Sequence, residues 1–181
     1  SYGGRHGSDG MDAVDTLYAN TRNNPIEDIE THLPLRVSRY ELRENVVGAG
    51  KWRGGLGSVR EFEYLADGGA SVEGEGHGFA PWGFDGGAGG KQAELRLHTP
   101  AGTVRELPSK VPHMRIAKGD RFRCLGPAGG GYGDPMTRDP QAVAEDVLDG
   151  LITAETAAEA FGVVIAADGT VDAAATTARR G

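Results

Sequence analysis

The sequence predicts an α+β protein with a β-rich body of antiparallel strands, long Gly-rich loops and a small C-terminal helical segment. Three observations lead to this fold class. Short segments in which apolar and polar residues alternate recur as far as residue 125, as is typical of strands. The 30 glycines exceed twice the usual share of about 7% and separate these segments without a repeating period. After Pro135 the spacing of apolar residues becomes helical.

The predicted strands are short and separated by turns or loops. They cover residues 35–43, 58–65, 70–74, 93–98, 103–107 and 121–125. The turn at Asp67-Gly68-Gly69 predicts that residues 70–74 pair back on the strand before them as a hairpin. Residues 26–30 form at most one helical turn, and residues 108–113 are an ordered but irregular segment.

Helices follow the strands, with sequence signals at their ends. A cap residue, a proline at the first helical position and a closing glycine bound the first helix, and a cap and a closing glycine bound the second. These residues are Asp139, Pro140 and Gly150, then Thr153 and Gly162. Residues 171–179 are predicted to be helical, and Arg179 and Arg180 to form a solvated tail.

The chain is interpreted as three parts. Residues 1–30 are largely polar and rich in Gly and Asn, so we expect an extended arm that packs on a partner chain. Residues 31–135 are the β-rich body, and residues 136–181 are the C-terminal helical tail of the same domain.

Charge and cysteine content exclude several functional classes. A net charge of −7 argues against a general nucleic-acid or membrane-surface binder, because both need a basic field. The single cysteine, Cys124, rules out an intramolecular disulfide and a thiolate zinc site built by this chain alone, and its apolar setting predicts a core residue. No apolar stretch reaches the length of a membrane helix and no signal peptide leads the chain, so we expect a cytoplasmic protein.

The rest of the chain is organised around the loop at residues 127–135, Pro-Ala-Gly-Gly-Gly-Tyr-Gly-Asp-Pro. The loop lacks the Lys-Ser/Thr of a P-loop and the GxGxxG spacing of a dinucleotide fold, so both are rejected. Two interpretations stay open: a tight structural turn, or a cradle of backbone N–H groups for an anion. The candidate contacts are Gly130, Gly131, Tyr132 and Asp134, of which Asp134 is the more typical of a helix cap.

Three cations are candidates for holding a phosphate or a carboxylate. Lys51 and Arg53 lie in a Gly-rich loop, and Lys110 follows Pro108-Ser109. Arginine offers a forked donor and lysine a point charge to such a group. The alternative is that all three are ordinary solvated cations.

The long loop from Gly74 to Gly90 is a second candidate region. Trp82 and Phe84, exposed together, would mark a contact surface. His77 and His113 are the best candidates among the five histidines, with surface or packing roles as the alternative. No pair of histidines has the spacing of a helical zinc site, so no metal ligand is assigned in this chain and the catalytic residues stay unassigned.

Several motifs, taken in order, resemble one family. They are residues 20–27 and 34–37, the glycine-rich run at 50–57, Pro81-Trp82-Gly83, Leu107-Pro108-Ser109-Lys110, residues 129–135, residues 139–164 and Asp168-Gly169. Together they resemble the C-terminal third of hydantoinase B proteins. That family includes hydantoinase, oxoprolinase and lactamase subunits and the related subunits of ATP-dependent acetone and acetophenone carboxylases. Where relatives carry a basic segment before Pro-Trp-Gly, this chain has Gly-His-Gly-Phe at residues 76–79.

The resemblance implies one half of a two-component enzyme that is not active alone. A hydantoinase A-like subunit would bind ATP and Mg²⁺ and phosphorylate an amide or enolate oxygen. The hydantoinase B-like subunit would then hydrolyse or carboxylate the activated intermediate. The resemblance also implies a divalent metal, Zn or Mn, in the N-terminal part of the hydantoinase B-like subunit and none bound by this chain alone.

The expected partners are therefore the N-terminal part of a hydantoinase B-like subunit and a hydantoinase A-like subunit, in a hetero-oligomer. On this view the chain is a split or processed hydantoinase B-like subunit of a cyclic-amide hydrolase that shapes the active site and binds its partner subunits. One alternative is a subunit of an ATP-dependent ketone carboxylase. Others are a stand-alone β-rich module that binds a small acid through Trp82 and the Gly loop, and a hydrolase with Ser1 as nucleophile.

Overall fold

A computed structural model describes residues 1–15, 18–19 and 21–181 of the chain. The strands are β1 (Leu35–Leu42), β2 (Ser58–Tyr64), β3 (Gly68–Glu73), β4 (Glu94–His98), β5 (Val104–Glu106), β6 (Lys110–Ile116) and β7 (Arg121–Leu125). The helices are α1 (Ile26–His32), α2 (Pro140–Leu148), α3 (Ala154–Phe161) and α4 (Ala173–Arg180), with a 3-10 helix at Pro135–Thr137. Asn20, the first residue of the motif at residues 20–27, lies outside the described residues.

Two antiparallel sheets form the body. The larger has the strand order β1-β2-β7-β4-β5, and the smaller pairs β3 with β6. The register sets Val37 opposite Phe62, Phe62 opposite Phe122, and Phe122 opposite Leu97, so apolar side chains form a row across four strands. The α+β class and the antiparallel body predicted from the sequence are confirmed.

The predicted hairpin between residues 58–65 and 70–74 is wrong. Both edges of β2 are taken, by β1 on one side and β7 on the other, so β3 has no free edge of β2 to join. It pairs instead with β6, a strand of seven residues where the sequence predicted an irregular segment. Pro112 obscured this strand, because proline is tolerated only where its missing N–H is not needed by a neighbour.

The first hydrophobic core lies between the two sheets. Its buried residues are Leu95, Leu97, Val111, Ile116 and Phe122. Cys124 packs against this cluster, and burial raises the pKa of its thiol to about 11. Cys124 is half-buried against this core, as its apolar setting predicted, and the raised pKa keeps its thiol neutral at physiological pH.

The other face of the larger sheet carries charges, with Glu61 at its centre. Glu61 is only 1% exposed and accepts hydrogen bonds from Ser38 Oγ (2.8 Å) and Arg123 Nε (2.6 Å). Burial by itself would raise the pKa of this carboxyl, but the bonds from Ser38 and Arg123, with the charges of Arg123 and Arg121, outweigh it. The pKa of Glu61 therefore lies below its ordinary value of 4.5.

Glycines allow the backbone to pack around residues 128–132. Five segments surround this stretch, and together with it they are called the glycine bundle below: residues 2–4, 48–50, 52–55, 82–84 and 87–90. A Cβ atom at Gly54 would lie 1.9 Å from the carbonyl oxygen of Gly129, and one at Gly130 would lie 1.9 Å from that of Trp82. Such distances are too short for any side chain, so close backbone approach requires these glycines.

Three backbone N–H groups of the central stretch are used inside the bundle. Gly129 donates to the carbonyl of Gly55 (2.8 Å), Gly131 to that of Ala88 (2.9 Å) and Tyr132 to that of Trp52 (2.9 Å). These donors are therefore not directed at an outside anion. The arrangement favours the structural interpretation of the loop over the anion cradle.

The first thirteen residues contact the bundle of their own chain. Gly4 donates to the carbonyl of Gly130, Gly10 to that of Arg53 and Ala13 to that of Leu56, each at 2.8 Å. The N-terminal segment thus lies along this chain, and its packing on a partner chain stays a prediction. Helix α1 has seven residues and is longer than the single turn predicted.

The C-terminal helices pack on the bundle through a second core. Its buried residues are Ala49, Val143, Ile152, Ala157, Phe161 and Val163. The predicted caps are confirmed, since the side chains of Asp139 and Thr153 accept from the first turns of α2 and α3. Gly162 follows α3 with a φ of +64°.

The solvated tail predicted at the two terminal arginines is wrong. Arg179 Nε donates to the carbonyl of Ala158 (2.6 Å), and Arg180 Nε donates to that of Phe161 (2.9 Å). Carbonyls at the end of a helix lack partners within the helix, and cationic side chains satisfy them. Helix α4 therefore closes the end of α3.

Replacing Gly54 with alanine tests the bundle. The new methyl group would collide with the Gly129 backbone, so we expect Gly54→Ala to lower the free energy of unfolding by about 3 kcal/mol in urea titrations. Gly78→Ala is the matched control, because a Cβ there meets nothing within 4 Å, and its effect should stay within about 0.5 kcal/mol. Equal losses in the two variants would contradict the packing described.

Glu61→Gln tests the charged face through its pH dependence. A carboxyl with a lowered pKa contributes stability above its unfolded value of 4.5 and loses it as the pH falls through the lower folded value. The variant should therefore be less stable than the wild type at neutral pH, and the difference should disappear in acid. Glu63→Gln on the same strand, whose pair with Arg36 is 4.0 Å long, should change stability less.

Candidate functional site

Several predicted site residues meet at one side of the glycine bundle. The N–H of Lys51 donates to the carbonyl of Gly133 (3.1 Å), and Tyr132 exchanges two backbone hydrogen bonds with Trp52. The carbonyl of Gly131 accepts from Phe84 (2.9 Å). The bundle thus brings Lys51, Trp82, Gly130, Gly131 and Tyr132 together from three loops. Their contact with a substrate or phosphate stays a prediction.

The loop that joins the bundle at Trp82 and Phe84 exposes three aromatic side chains. Phe79 is 89% exposed, Trp82 83% and Phe84 65%, and these three residues are called the aromatic surface below. The Phe84 ring stacks on Tyr132 with 5.9 Å between centroids, and His6 meets the same tyrosine edge-on at 6.3 Å. The sequence analysis expected a contact surface if Trp82 and Phe84 were exposed together, and the structure exposes both side chains.

The loop that carries Trp82 and Phe84 is held in place by backbone contacts. The carbonyl of Phe84 accepts from Gly133 (3.0 Å) and Gly87 (2.9 Å), and Gly90 donates to Pro81 (2.8 Å). Asp85 adopts a φ of +51°, which is uncommon for a residue with a side chain. Phe84, and with it the neighbouring Trp82, is therefore carried by a backbone that the bundle holds.

Asp134 caps the 3-10 helix that follows the loop. Its Oδ1 accepts from the N–H of Met136 at 2.9 Å, and its carbonyl accepts from the hydroxyl of Thr137 at 2.7 Å. The capping interpretation is confirmed. The carboxylate thereby uses one lone pair on the backbone of its own chain.

A buried charge network lies beneath the bundle. Its members are Asp9, Asp12, Arg53, Arg138 and Asp146. Arg138 forms a two-pronged pair with Asp9, at 2.7 and 2.9 Å, and reaches Asp146 at 3.0 Å. Arg53 Nε donates to the other oxygen of Asp146 at 3.0 Å. The network joins the N-terminal segment, the bundle and α2.

The charge network gives Arg53 a structural role. Its guanidinium is buried and also donates to Asp12 at 2.9 Å. Burial by itself would lower the pKa of this group, but Asp12 and Asp146 outweigh it and raise the pKa, so the charge persists. Burial and two carboxylates turn this guanidinium toward the inside of the chain, and the contact of Arg53 with a substrate or phosphate stays a prediction.

Sequence reasoning missed the other four members of the network. Asp146 offered the one local signal, because it stands between Val143 and Val147 on the apolar side of α2. An acid in that position is buried and needs a cationic partner. Asp9, Asp12 and Arg138 lie in irregular segments, where no pattern marks them.

Lys110 and His113 lie on β6 in the smaller sheet and do not join the bundle. Lys110 Nζ donates to Glu75 Oε1 at 2.7 Å and lies 3.7 Å from Glu73. The hydrogen bond from Lys110 to Glu75 is the main cause that raises the pKa of this lysine. Two acids compete with any anion for Lys110, and its role as a ligand contact stays a prediction.

The two candidate histidines, His113 and His77, have different surroundings. His113 lines an open cleft of about 700 Å³ that Arg105, Arg115, Asp67 and Asp120 also border. Both ring nitrogens of His77 are buried without a hydrogen-bond partner among the described residues. A second cleft of about 770 Å³ lies between the N-terminal segment and β1, and Ser1, the nucleophile of one alternative function, lines it.

The described residues offer no metal site and no membrane crossing. Within residues 1–15, 18–19 and 21–181, no three His, Cys, Asp or Glu side chains are grouped so that they could hold a metal ion. A divalent metal does not fit the donors that this part of the chain supplies. None of the helices in the same ranges combines the length and the apolar character that crossing a bilayer demands.

Comparisons with known proteins agree on one family. The profile described as Hydantoinase B/oxoprolinase matches residues 1–135. A putative D-/L-hydantoinase of Pseudomonas sp. (strain NS671) has a B-type subunit that is 57% identical over 166 residues, which are 91% of this chain and 28% of that protein. The chain thus spans less than a third of the length of this relative.

Two solved structures share the fold. The ATP-dependent caprolactamase from Pseudomonas jessenii matches with a TM-score of 0.75 and 32% identity, covering 87% of this chain and 28% of that chain. The nucleotide-free structure of acetone carboxylase matches with a TM-score of 0.81 and 24% identity, covering 96% and 28%. The first likeness extends to sequence, and the second is one of fold alone.

Removing one arginine of the charge network should lower the stability of the folded chain. Arg138→Gln leaves Asp9 and Asp146 without their shared cation, so we expect a loss of about 3–5 kcal/mol in the free energy of unfolding. The exposed Arg115, which has no ion-pair partner among the described residues, is the control, and Arg115→Gln should change stability by less than about 0.5 kcal/mol. Chemical denaturation of both variants measures the difference, and equal stability would show that the network is not needed.

Proposed function

The chain belongs to the hydantoinase B/oxoprolinase family, and we propose that it is the C-terminal part of the B-type component of an ATP-dependent cyclic-amide hydrolase. The observation that carries this proposal is the identity with the D-/L-hydantoinase subunit, which extends over most of the chain. The motifs around Lys51, Trp82 and the loop at residues 127–135 lie within the matched range.

Hydrolysis is proposed ahead of carboxylation because of the sequence relationships. The hydantoinase and caprolactamase relatives share sequence as well as fold with this chain, and their names refer to cyclic amides. Acetone carboxylase supports the fold only. A ketone carboxylase remains the second candidate, and the experiment below separates the two.

The proposed role of this chain is to shape the site, and the chemistry belongs to its partners. Gly129, Gly131 and Tyr132 use their N–H groups inside the bundle, and the charge network pairs its charges internally, which supports a scaffold better than a reactive centre. We propose that ATP and Mg²⁺ bind a hydantoinase A-like subunit. A divalent metal, Zn or Mn, would bind the rest of the B-type component, since the described residues supply no ligand set for it.

The proposed assembly follows from these separate roles of the components. The proposed complex is a hetero-oligomer of this chain, the remaining part of the B-type component and the A-like subunit. In it Lys51 and Tyr132, which lie beside the aromatic surface, would border the cavity where the ring is opened. No part of the complex is expected to hydrolyse a cyclic amide alone.

Reconstitution tests the proposed function. The three components are combined, and the release of ADP and the opening of hydantoin, 5-oxoproline and caprolactam are followed together. We expect ring opening coupled to ATP hydrolysis only when all the components are present. The control replaces the cyclic amide with acetone and bicarbonate.

Three results would contradict the proposal. Carboxylated acetone in place of an opened ring would support the carboxylase. Turnover by the isolated chain that Ser1→Ala abolishes would support an N-terminal serine hydrolase, although the Ser1 hydroxyl donates to the Leu56 carbonyl at 2.6 Å in this structure. A folded isolated chain that binds a small acid and no partner would support a stand-alone binding module.

A further inference from the structure

The aromatic surface is large for side chains that face solvent. Phe79, Trp82 and Phe84 lie within six residues of one another, and each exposes well over half of its area. Single exposed apolar residues are common, but a group of large aromatic side chains on one loop marks a contact site. Tyr132 and His6 extend the group, since their rings contact Phe84 and Tyr132 in turn.

The backbone of Trp82 and Phe84, two of the three residues of the aromatic surface, is held by the bundle before any partner arrives. Phe84 bonds to Gly131 and Gly133, and the carbonyl of Trp82 lies where a side chain on Gly130 would be. A surface ordered in advance loses little conformational entropy on binding, so more of its contact energy appears as affinity. Tryptophan is also among the side chains most enriched in residues that dominate binding.

The length of the relatives indicates what covers this surface. The matched part is 28% of the hydantoinase relative and 28% of the caprolactamase chain, so most of each protein lies outside the shared fold. A permanent contact within such a protein is more apolar than a transient one, which suits three aromatic side chains without a charged group among them. Leu148 is equally exposed but stands alone on α2.

We propose that the aromatic surface of Phe79, Trp82 and Phe84 is the docking site for the rest of the B-type component, the polypeptide that corresponds to the unmatched part of these relatives. The inference rests on the proposed function, because it takes its partner from that assembly. Trp82 is the anchor, since it is the most exposed tryptophan of the described residues and its backbone is held by the bundle.

The experiment measures assembly with Trp82 removed. The 181-residue chain and the rest of the B-type component, supplied as a second polypeptide, are mixed with the A-like subunit. Analytical ultracentrifugation measures the dissociation constant between the chain and the rest of the B-type component. Trp82→Ala should weaken the association by about 30-fold or more, as removal of a dominant contact residue does. Leu148→Ala, which removes a side chain that is 83% exposed outside the surface, should leave it unchanged.

The outcomes separate the inference from the proposed function. Because the Trp82 side chain is exposed, the variant should unfold at the same denaturant concentration as the wild type, which excludes misfolding as the cause. Wild-type assembly that Trp82→Ala leaves intact would overturn the docking site while the proposed function stands. Failure of the wild-type chain to assemble would overturn both. Loss of cyclic-amide binding with unchanged assembly would show that the surface contacts substrate instead.

Discussion

Close approach of backbone to backbone around residues 128–132 is the constraint on which the rest of the structure depends. At Gly54 and Gly130 any side chain would overlap a neighbouring carbonyl, so the packing exists only because the side chains are absent. Each ordered glycine costs up to about 1 kcal/mol more conformational entropy than alanine. The hydrogen bonds of Gly129, Gly131 and Tyr132 to two other segments offset part of that cost, because they satisfy buried polar groups.

The buried charge network fastens the two ends of the chain to this bundle. Two arginines share three carboxylates, so each guanidinium is paired even though it is out of water. Breaking such a set is costly because one partner would be left buried and uncompensated. The N-terminal segment, which has few apolar residues of its own, is therefore held by Asp9 and Asp12, and α2 is held by Asp146.

Rigid support and exposed aromatic side chains suit a component that presents a surface to other polypeptides. Gly129, Gly131 and Tyr132 use their N–H groups inside the bundle, and the network pairs its charges internally, so both suit a scaffold better than a reactive centre. What faces outward is the loop with Trp82 and Phe84, beside Lys51 and Tyr132. Membership of the hydantoinase B/oxoprolinase family fits this arrangement, since its longer members carry the matched region as one part of a larger polypeptide.

The sequence by itself determined the features that depend on neighbouring residues. Helix caps at Asp139 and Thr153, the closing Gly162 and the antiparallel class follow from local patterns, and the order of the motifs indicated the family. Only the tertiary structure decided which strands pair and which charges meet, since Asp9 and Arg138 are 129 residues apart. It also decided that β3 joins β6 and that Arg53 is buried, because free strand edges and buried partners are set by the whole chain.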